Sequence, residues 1–335
     1  MQLHFHTDDQ NIRDSVEAFV EQWNNSDDFF QVKTSGSTGK PKTIHILKSH
    51  ARASANMTGS FLGLYKNLNA LLCLSPETIA GKMMIVRALE WKLHLHVVAP
   101  SSDPFENIKK RMHFVAMVPY QVLRTIENSS EKFHEHMQLI IGGGPIAPTL
   151  EKQIQALPCT AYHTFGMTET ISHIALRNIS LQSKRFRLLT GVTAKIVHGK
   201  MHITAPHLGV KDLVTNDSVE FYGDREFEWR GRLDFVINSG GIKIHPEEVE
   251  DKLSQLFDVP FFVVGIPDDQ LGEKLVLCLE SAPFPISKKE LETLLPKYHV
   301  PRSVFFFPEF VYTKSGKINR FATLACEKRN EQSLL

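Results

Sequence analysis

Four short apolar runs constrain this chain most: ALLCL at Ala70–Leu74, LHLHVV at Leu93–Val98, FVAMV at Phe114–Val118 and LII at Leu139–Ile141. A run apolar at nearly every position must be covered on both faces, the habit of strands in a parallel sheet. Helix signals lie around them. Asp14–Trp23 carries Val16, Phe19, Val20 and Trp23 at helical spacing, and Ser49–Leu64 and Lys82–Lys92 also read as helices. Phe30–Thr34 reads as a strand. Strand and helix in alternation build βα units, so the expected fold class is α/β with a largely parallel sheet.

From Val192 the texture changes. AKIVHGKMHITA alternates around a glycine and predicts a hairpin, and Phe227–Ile237 continues in β style. After Ser239-Gly240-Gly241 comes a separate α+β pattern: helix Pro246–Phe257, strands Phe261–Gly265 and Lys274–Glu280, helix Ser287–Leu295 and strand Val304–Phe307. A chain of 335 residues exceeds one hydrophobic core. Two domains are therefore expected, a large one over 1–232 and a small C-terminal one over 233–335.

Lys and Arg total 38 against 37 Asp and Glu, which argues against a broad nucleic-acid footprint. No apolar run reaches the roughly 18 residues of a membrane span, and the first ten residues lack the basic-then-apolar order of a signal peptide. Cys73, Cys159, Cys278 and Cys326 are scattered with no C-x-x-C, so a reducing cytoplasm is expected. His4-x-His6 and His94-x-His96 each put two imidazoles on one strand face, as a metal site could. With no Cys or acidic partner nearby in sequence, both pairs are read as chance.

TSGSTGKPK, Thr34–Lys42, has the chemistry of an anion cradle. Glycines let backbone N–H groups converge, hydroxyls add donors and lysines add charge. The spacing is neither G-x-x-x-x-G-K-[ST] nor G-x-G-x-x-G. By itself the loop reads equally as a polar turn.

Other motifs follow it in a fixed order: IGGGPI at Ile141–Ile146, FGMTE at Phe165–Glu169, GKMHI at Gly199–Ile203, TND at Thr215–Asp217, GRLD at Gly231–Asp234, SGGIKIHPEEVE from Ser239, GIPDDQLGE from Gly265, and a C-terminal stretch ending SGKINR. Together they resemble the signatures of the adenylate-forming (AMP-binding) superfamily of acyl-CoA synthetases and adenylation domains, over Thr34–Arg320. The resemblance implies an N-terminally shortened version of that fold, because only 33 residues precede the loop. It leaves the acyl pocket either more open or completed by another subunit in a homo-oligomer.

The family activates a carboxylic acid with MgATP to an acyl-adenylate and pyrophosphate, and a thiol, usually that of coenzyme A, then displaces AMP. Carried over by the motifs, Thr34, Ser35, Gly36, Ser37, Thr38, Gly39 and Lys42 would wrap the β- and γ-phosphates. Gly142, Gly143 and Gly144 would border the adenine, with Phe165 on its face and Gly166 beside it. Thr168 would contact the α-phosphate and Glu169 would coordinate Mg²⁺. Asp217 would accept hydrogen bonds from the ribose hydroxyls, and Arg232 would approach the ribose or phosphate. Asn216 departs from the family's glycine. Asp234 falls at the hinge, and Gly240 and Gly241 would line the pantetheine tunnel. Lys317 would bridge the substrate carboxylate and the α-phosphate during adenylation, then leave as the small domain rotates.

The acid is the least determined element. LSPETIAGKMMIVRALEW and FGMTETISHIAL resemble the o-succinylbenzoate-CoA ligase branch, in the menaquinone pathway, whose substrate has a second carboxylate that is only recognised. Lys82, Arg87 and His173 are the candidate partners for it; Lys82 and Arg87 read equally as solvated helix charges. Three functions stand side by side: an acyl- or aryl-CoA ligase, an enzyme loading an acid onto a carrier protein, and an inactive nucleotide-binding regulator. Retention of Thr168, Glu169, Asp217 and Lys317 disfavours the third.

Overall fold

The computed structural model describes residues 1–33, 43–312 and 318–334. In chain order these residues form β1 (Gln2–Phe5), α1 (Gln10–Asn24), β2 (Phe29–Lys33), β3 (Thr43–Leu47), α2 (Lys48–Leu62), β4 (Asn69–Leu72), α3 (Ile79–Glu90), β5 (His94–Val97), β6 (Phe114–Met117), α4 (Pro119–Ser129), β7 (Gln138–Ile141), α5 (Pro148–Gln155), β8 (Thr160–Gly166), β9 (His173–Asn178) and β10 (Phe186–Leu188). Then follow β11 (Thr193–Val197), β12 (Lys200–Ala205), β13 (Val210–Val214), β14 (Asp217–Tyr222) and β15 (Glu226–Arg232). The remainder is β16 (Ile237–Ser239), β17 (Ile242–Ile244), α6 (Pro246–Leu253), β18 (Phe261–Asp268), β19 (Gly272–Glu280), α7 (Lys288–Leu294), β20 (Ser303–Phe307), α8 (Arg320–Leu324) and β21 (Asn330–Ser333).

Ten strands make one sheet in the order β1-β5-β4-β6-β7-β8-β9-β10-β15-β14. From β1 to β8 all pairings are parallel; from β8 to β14 all are antiparallel. The four apolar runs are the buried middle of the parallel half. Alternate residues serve opposite layers: Ala70, Leu72, Leu95, Val97, Phe114, Ala116 and Ile140 share a core with α1, α2 and α3. Leu71, Cys73, Val115, Met117, Leu139 and Ile141 share another with α4 and α5. Burial raises the Cys73 and Cys159 thiols to about 12, so both behave as small apolar side chains. Among the described residues no helix is long and apolar enough to cross a membrane.

β16 to β21 form a second sheet with its own cores, one around Val263, Leu277 and Phe306 and one around Phe262, Phe305 and Phe307. Helix α6 ends at Leu253, not at Phe257 as its pattern predicts. The Ser254 hydroxyl donates to the Asp251 carbonyl at 2.6 Å, a local bond that competes with the helix, and Pro260 lies just ahead.

The two histidine pairs meet across the sheet. Parallel pairing of β1 with β5 sets His4 opposite His96, and the rings of His4, His6 and His96 stack at centroid distances of 4.7 and 5.1 Å. His96 Nε2 lies 3.2 Å from Asn69 Oδ1, which can only accept, so the proton sits on Nε2 and His96 Nδ1 accepts from His6 Nε2 at 2.8 Å. Burial, with His4, His6, Lys110 and His94 adding repulsion, lowers His96 to about 4. His4 and His6 are lowered too, again mainly by burial. The folded chain thus binds fewer protons than the unfolded chain, so stability falls as pH drops from about 6.5 towards about 4. The thermal midpoint should fall by about 3 °C less over that interval in a His6→Gln/His96→Gln variant than in the wild type. Equal acid sensitivity of the two proteins would refute this reading of the ladder.

Candidate active site

The loop Thr34–Lys42 lies outside the described residues, but its flanks do not. β2 and β3 pair antiparallel with Lys33 opposite Thr43, so those residues join the ends of a two-stranded ribbon. Lys317 also lies outside the described residues. Its flanks, Tyr312 and Ile318, form an antiparallel bridge. Beyond it, Arg320 Nη2 pairs with Glu250 Oε2 at 2.9 Å, and the Arg320 guanidinium lies 5.0 Å from the ring centre of Phe235, in the turn Leu233–Phe235 that holds Asp234.

Of the other candidates, Gly142–Gly144, Phe165 and Gly166 lie at the carboxyl ends of the parallel strands, Thr168 and Glu169 just beyond β8, Asp217 and Arg232 on the antiparallel pair β14–β15, and Gly240 and Gly241 in the second sheet. Gly142, Gly143 and Gly144 follow β7; the Gly144 carbonyl lies 3.2 Å from His163 Nε2 on β8. Phe165 and Gly166 end β8. Gly166 is obligatory: a Cβ there would stand 2.4 Å from the Ser172 carbonyl oxygen. The Phe165 ring meets Phe227 of β15 edge-on at 5.1 Å. Thr168 and Glu169 occupy a 3-10 turn held by the Thr170 hydroxyl, which accepts from Met167 N at 2.9 Å, and Glu169 is exposed. Ile171, next in line, has φ of +67°, a strained setting for a β-branched residue, and it is buried at 4% exposure.

Asp217 opens β14, is buried, and accepts from Trp229 Nε1 at 2.9 Å through Oδ1. Arg232 stands opposite it on β15 and pairs with Asp234. Gly240 and Gly241 make the turn between β16 and β17 with φ of +58° and +83°.

Of the three candidate cations, Arg87 and His173 are brought together through Ser172, and Lys82 lies apart. Arg87, on α3, is 2% exposed. Its Nη2 donates to Ser172 Oγ at 2.7 Å, Nη1 reaches only Met84 Sδ at 4.0 Å, and Nε has no partner among the described residues. Burial pulls Arg87 down to about 9, still cationic at neutral pH. His173 is a correction: it supplies no charge. Thr58 donates to the Ser54 carbonyl at 3.0 Å, so its oxygen accepts from His173 Nε2 at 2.9 Å. That leaves His173 Nδ1 to accept from Ser172 Oγ at 3.4 Å. Burial, with Arg87 adding repulsion, holds His173 well below its ordinary pKa. The chain Arg87–Ser172–His173–Thr58 is therefore a directed relay of hydrogen bonds that orients one buried guanidinium. Lys82 faces elsewhere, its ammonium 4.5 Å from the Phe19 ring of α1 in a groove shared with Asp14 and Glu77. Thr58 and Trp229 had no motif to announce them.

Among the described residues no cluster of three or more His, Cys, Asp or Glu is set to hold a metal.

The parallel sheet turns antiparallel at β8, and the aromatic Phe165, the acidic Glu169 and the glycine-rich segment after β7 lie where it does so. The chain belongs to the AMP-binding enzyme family, whose sequence pattern matches residues 4–207. It is 30% identical to the 2-succinylbenzoate–CoA ligase of Lactococcus lactis subsp. lactis (strain IL1403), an alignment covering 86% of this chain and 69% of that protein. The corresponding ligase of Staphylococcus epidermidis (strain ATCC 12228) is 26% identical over 86% of this chain and 67% of the relative. Among solved structures, an acyl-CoA synthetase (AMP-forming)/AMP-acid ligase II-like protein from Dyadobacter fermentans superposes with a TM-score of 0.64 at 34% identity, over 94% of both chains. The o-succinylbenzoate CoA synthetase of Bacillus subtilis with its acyl-adenylate intermediate gives 0.78 at 22% identity, over 90% of this chain and 70% of that one, a likeness of fold.

Proposed function

We propose that the chain is an AMP-forming acid–thiol ligase that activates o-succinylbenzoate with ATP and transfers it to coenzyme A. The observation that carries the choice of acid is Arg87. A buried guanidinium with free donors and no carboxylate beside it among the described residues suits the distal carboxylate of a dicarboxylic substrate. Ser172 fixes its direction, three residues beyond Glu169.

In this reading a carboxylate oxygen of the acid attacks the α-phosphorus, and the bond to pyrophosphate breaks. The loop Thr34–Lys42 holds the departing pyrophosphate, Thr168 the α-phosphate, and Lys317 offsets the charge of the two approaching anions. Glu169 would hold the Mg²⁺, which would supply charge neutralisation on the phosphates. Phe165 covers the adenine and Asp217 grips the ribose. The thiol of coenzyme A then attacks the acyl carbon, and AMP leaves. The small domain, 233–335, turns about Asp234 between the two steps. The relatives' names support the reaction, and the ordered motifs support the residue roles.

A pyrophosphate-release assay over a panel of acids, with and without coenzyme A, tests this. We expect kcat/KM for o-succinylbenzoate to exceed that for benzoate by about 100-fold or more, the discrimination one buried charge-assisted hydrogen bond gives. Equal values would sink the proposed acid. Turnover that needs a carrier protein in place of coenzyme A would move the chain to the carrier-loading class.

A further inference from the structure

We infer that Trp229 is a positioning residue for the nucleotide: its indole N–H holds one oxygen of the Asp217 carboxylate so that the other is presented to the ribose hydroxyls. The inference rests on the proposed role of Asp217 and adds a residue to it.

The evidence is a break in the ladder. β14 and β15 start in register with Asp217 opposite Arg232 and Ser218 opposite Gly231, but Val219 then faces Trp229 and Glu220 faces Glu228. In an unbroken ladder Val219 would face Arg230, and Trp229 would stand opposite Glu220 on the other face of the sheet. One extra residue on β15 thus moves the indole to the face of Val219 and Asp217. Bulges beside functional sites commonly re-aim a side chain in this way. Gly231 makes the bulge fit: its φ is +126°, and a Cβ there would lie 2.4 Å from Glu247 Oε2.

The result is a specific hydrogen bond. Indole is a donor only, and at 2.9 Å it takes one lone pair of Oδ1. It therefore fixes the carboxylate plane without neutralising it, and Oδ2 remains an acceptor. The Asp217 backbone is held from the other side, its N–H donating to Thr215 Oγ1 at 3.2 Å. Trp229 and Phe165 both pack on the core that contains Phe227. β15 consequently touches both sides of the proposed nucleotide site, Phe165 of β8 through Phe227 and Asp217 of β14 through Trp229.

The test compares ATP with 2′,3′-dideoxy-ATP in the full chain, measuring kcat and KM. Trp229→Phe keeps a ring and loses the donor. We expect its KM for ATP to rise about tenfold with kcat nearly unchanged, and its preference for ATP over the dideoxy analogue to shrink by a similar factor. A purely structural tryptophan would leave that preference intact. If Asp217→Ala keeps the wild-type preference, the ribose reading of Asp217 falls and the inference with it. If Asp217→Ala loses the preference while Trp229→Phe keeps it, the ribose reading stands and Trp229 is not a positioning residue. Should Trp229→Phe fail to fold, benzothienylalanine installed at position 229, which has the shape of tryptophan but sulfur in place of N–H, gives the same two outcomes.

Discussion

Replacing Arg87 with methionine is expected to abolish efficient use of a dicarboxylic acid and, in the same protein, to raise the thermal midpoint. The two effects have one cause. Arg87 is 2% exposed, and its neighbours are a hydroxyl and a thioether. Removing a charge from water costs several kcal/mol, and neither neighbour offsets this as a carboxylate would. Methionine is apolar and unbranched, and relieves that cost, which is worth about 1–4 kcal/mol where buried ionic groups are replaced by apolar ones. At about 2–4 °C per kcal/mol the gain is measurable by calorimetry. The catalytic effect is larger. Without the guanidinium, the distal carboxylate of the substrate enters a buried site unpaired, which costs about 2–5 kcal/mol, or roughly one and a half to three and a half orders of magnitude in kcat/KM.

Burial also sets a pH signature for Arg87. Because its folded pKa lies near 9, below that of the unfolded chain, the folded form binds fewer protons above that pH. The wild type should gain stability relative to Arg87→Met as pH rises through about 9. A lower midpoint with undiminished turnover would make Arg87 a structural cation and remove the basis for the proposed acid.

Lys317→Ala is expected to split the two half-reactions. ATP–pyrophosphate exchange should fall by about 10²–10³-fold, the usual effect of removing one aimed donor from a site where charge develops. Thiolysis of supplied acyl-adenylate should change by less than about threefold, since the resemblance has the lysine absent from that step. The segment's flanks make such a division workable. Arg320 is tied to Glu250 in α6 and lies over Phe235 in the turn that holds Asp234, so the chain after Lys317 is coupled to the hinge candidate itself. Equal loss of both half-reactions would contradict the assignment.

The parallel strands are legible in the sequence because ALLCL and FVAMV are short, apolar at every position and bounded by turn or helix signals, although MMIV at Met83–Val86 is as apolar and lies in α3. The order of the motifs makes the class of enzyme legible too. What stays hidden depends on neighbours distant in sequence. Lys82 and Arg87 read alike on one helix, yet one lies on the Phe19 ring and the other is enclosed beside Ser172. His4, His6 and His96 become a ladder only through the pairing of β1 with β5, which nothing in either segment announces. The end of α6 is hidden because its apolar spacing runs on past Ser254, where a hydroxyl bond intervenes.

The bulge near Arg230 also bears on how this stretch tolerates changes in length. Side chains on a strand alternate faces, so deleting Glu228 would force one of two outcomes: with the bulge kept, Phe227 changes face, and with the bulge closed, Trp229 does. Either Phe227, now fully buried, would turn outward, or the indole would leave Asp217. The turn at Gly223–Arg225 carries no such burden, because it is exposed and joins β14 to β15. Insertions and deletions in an evolving or engineered version of this hairpin should accumulate there, while the three residues Phe227–Trp229 keep a fixed count.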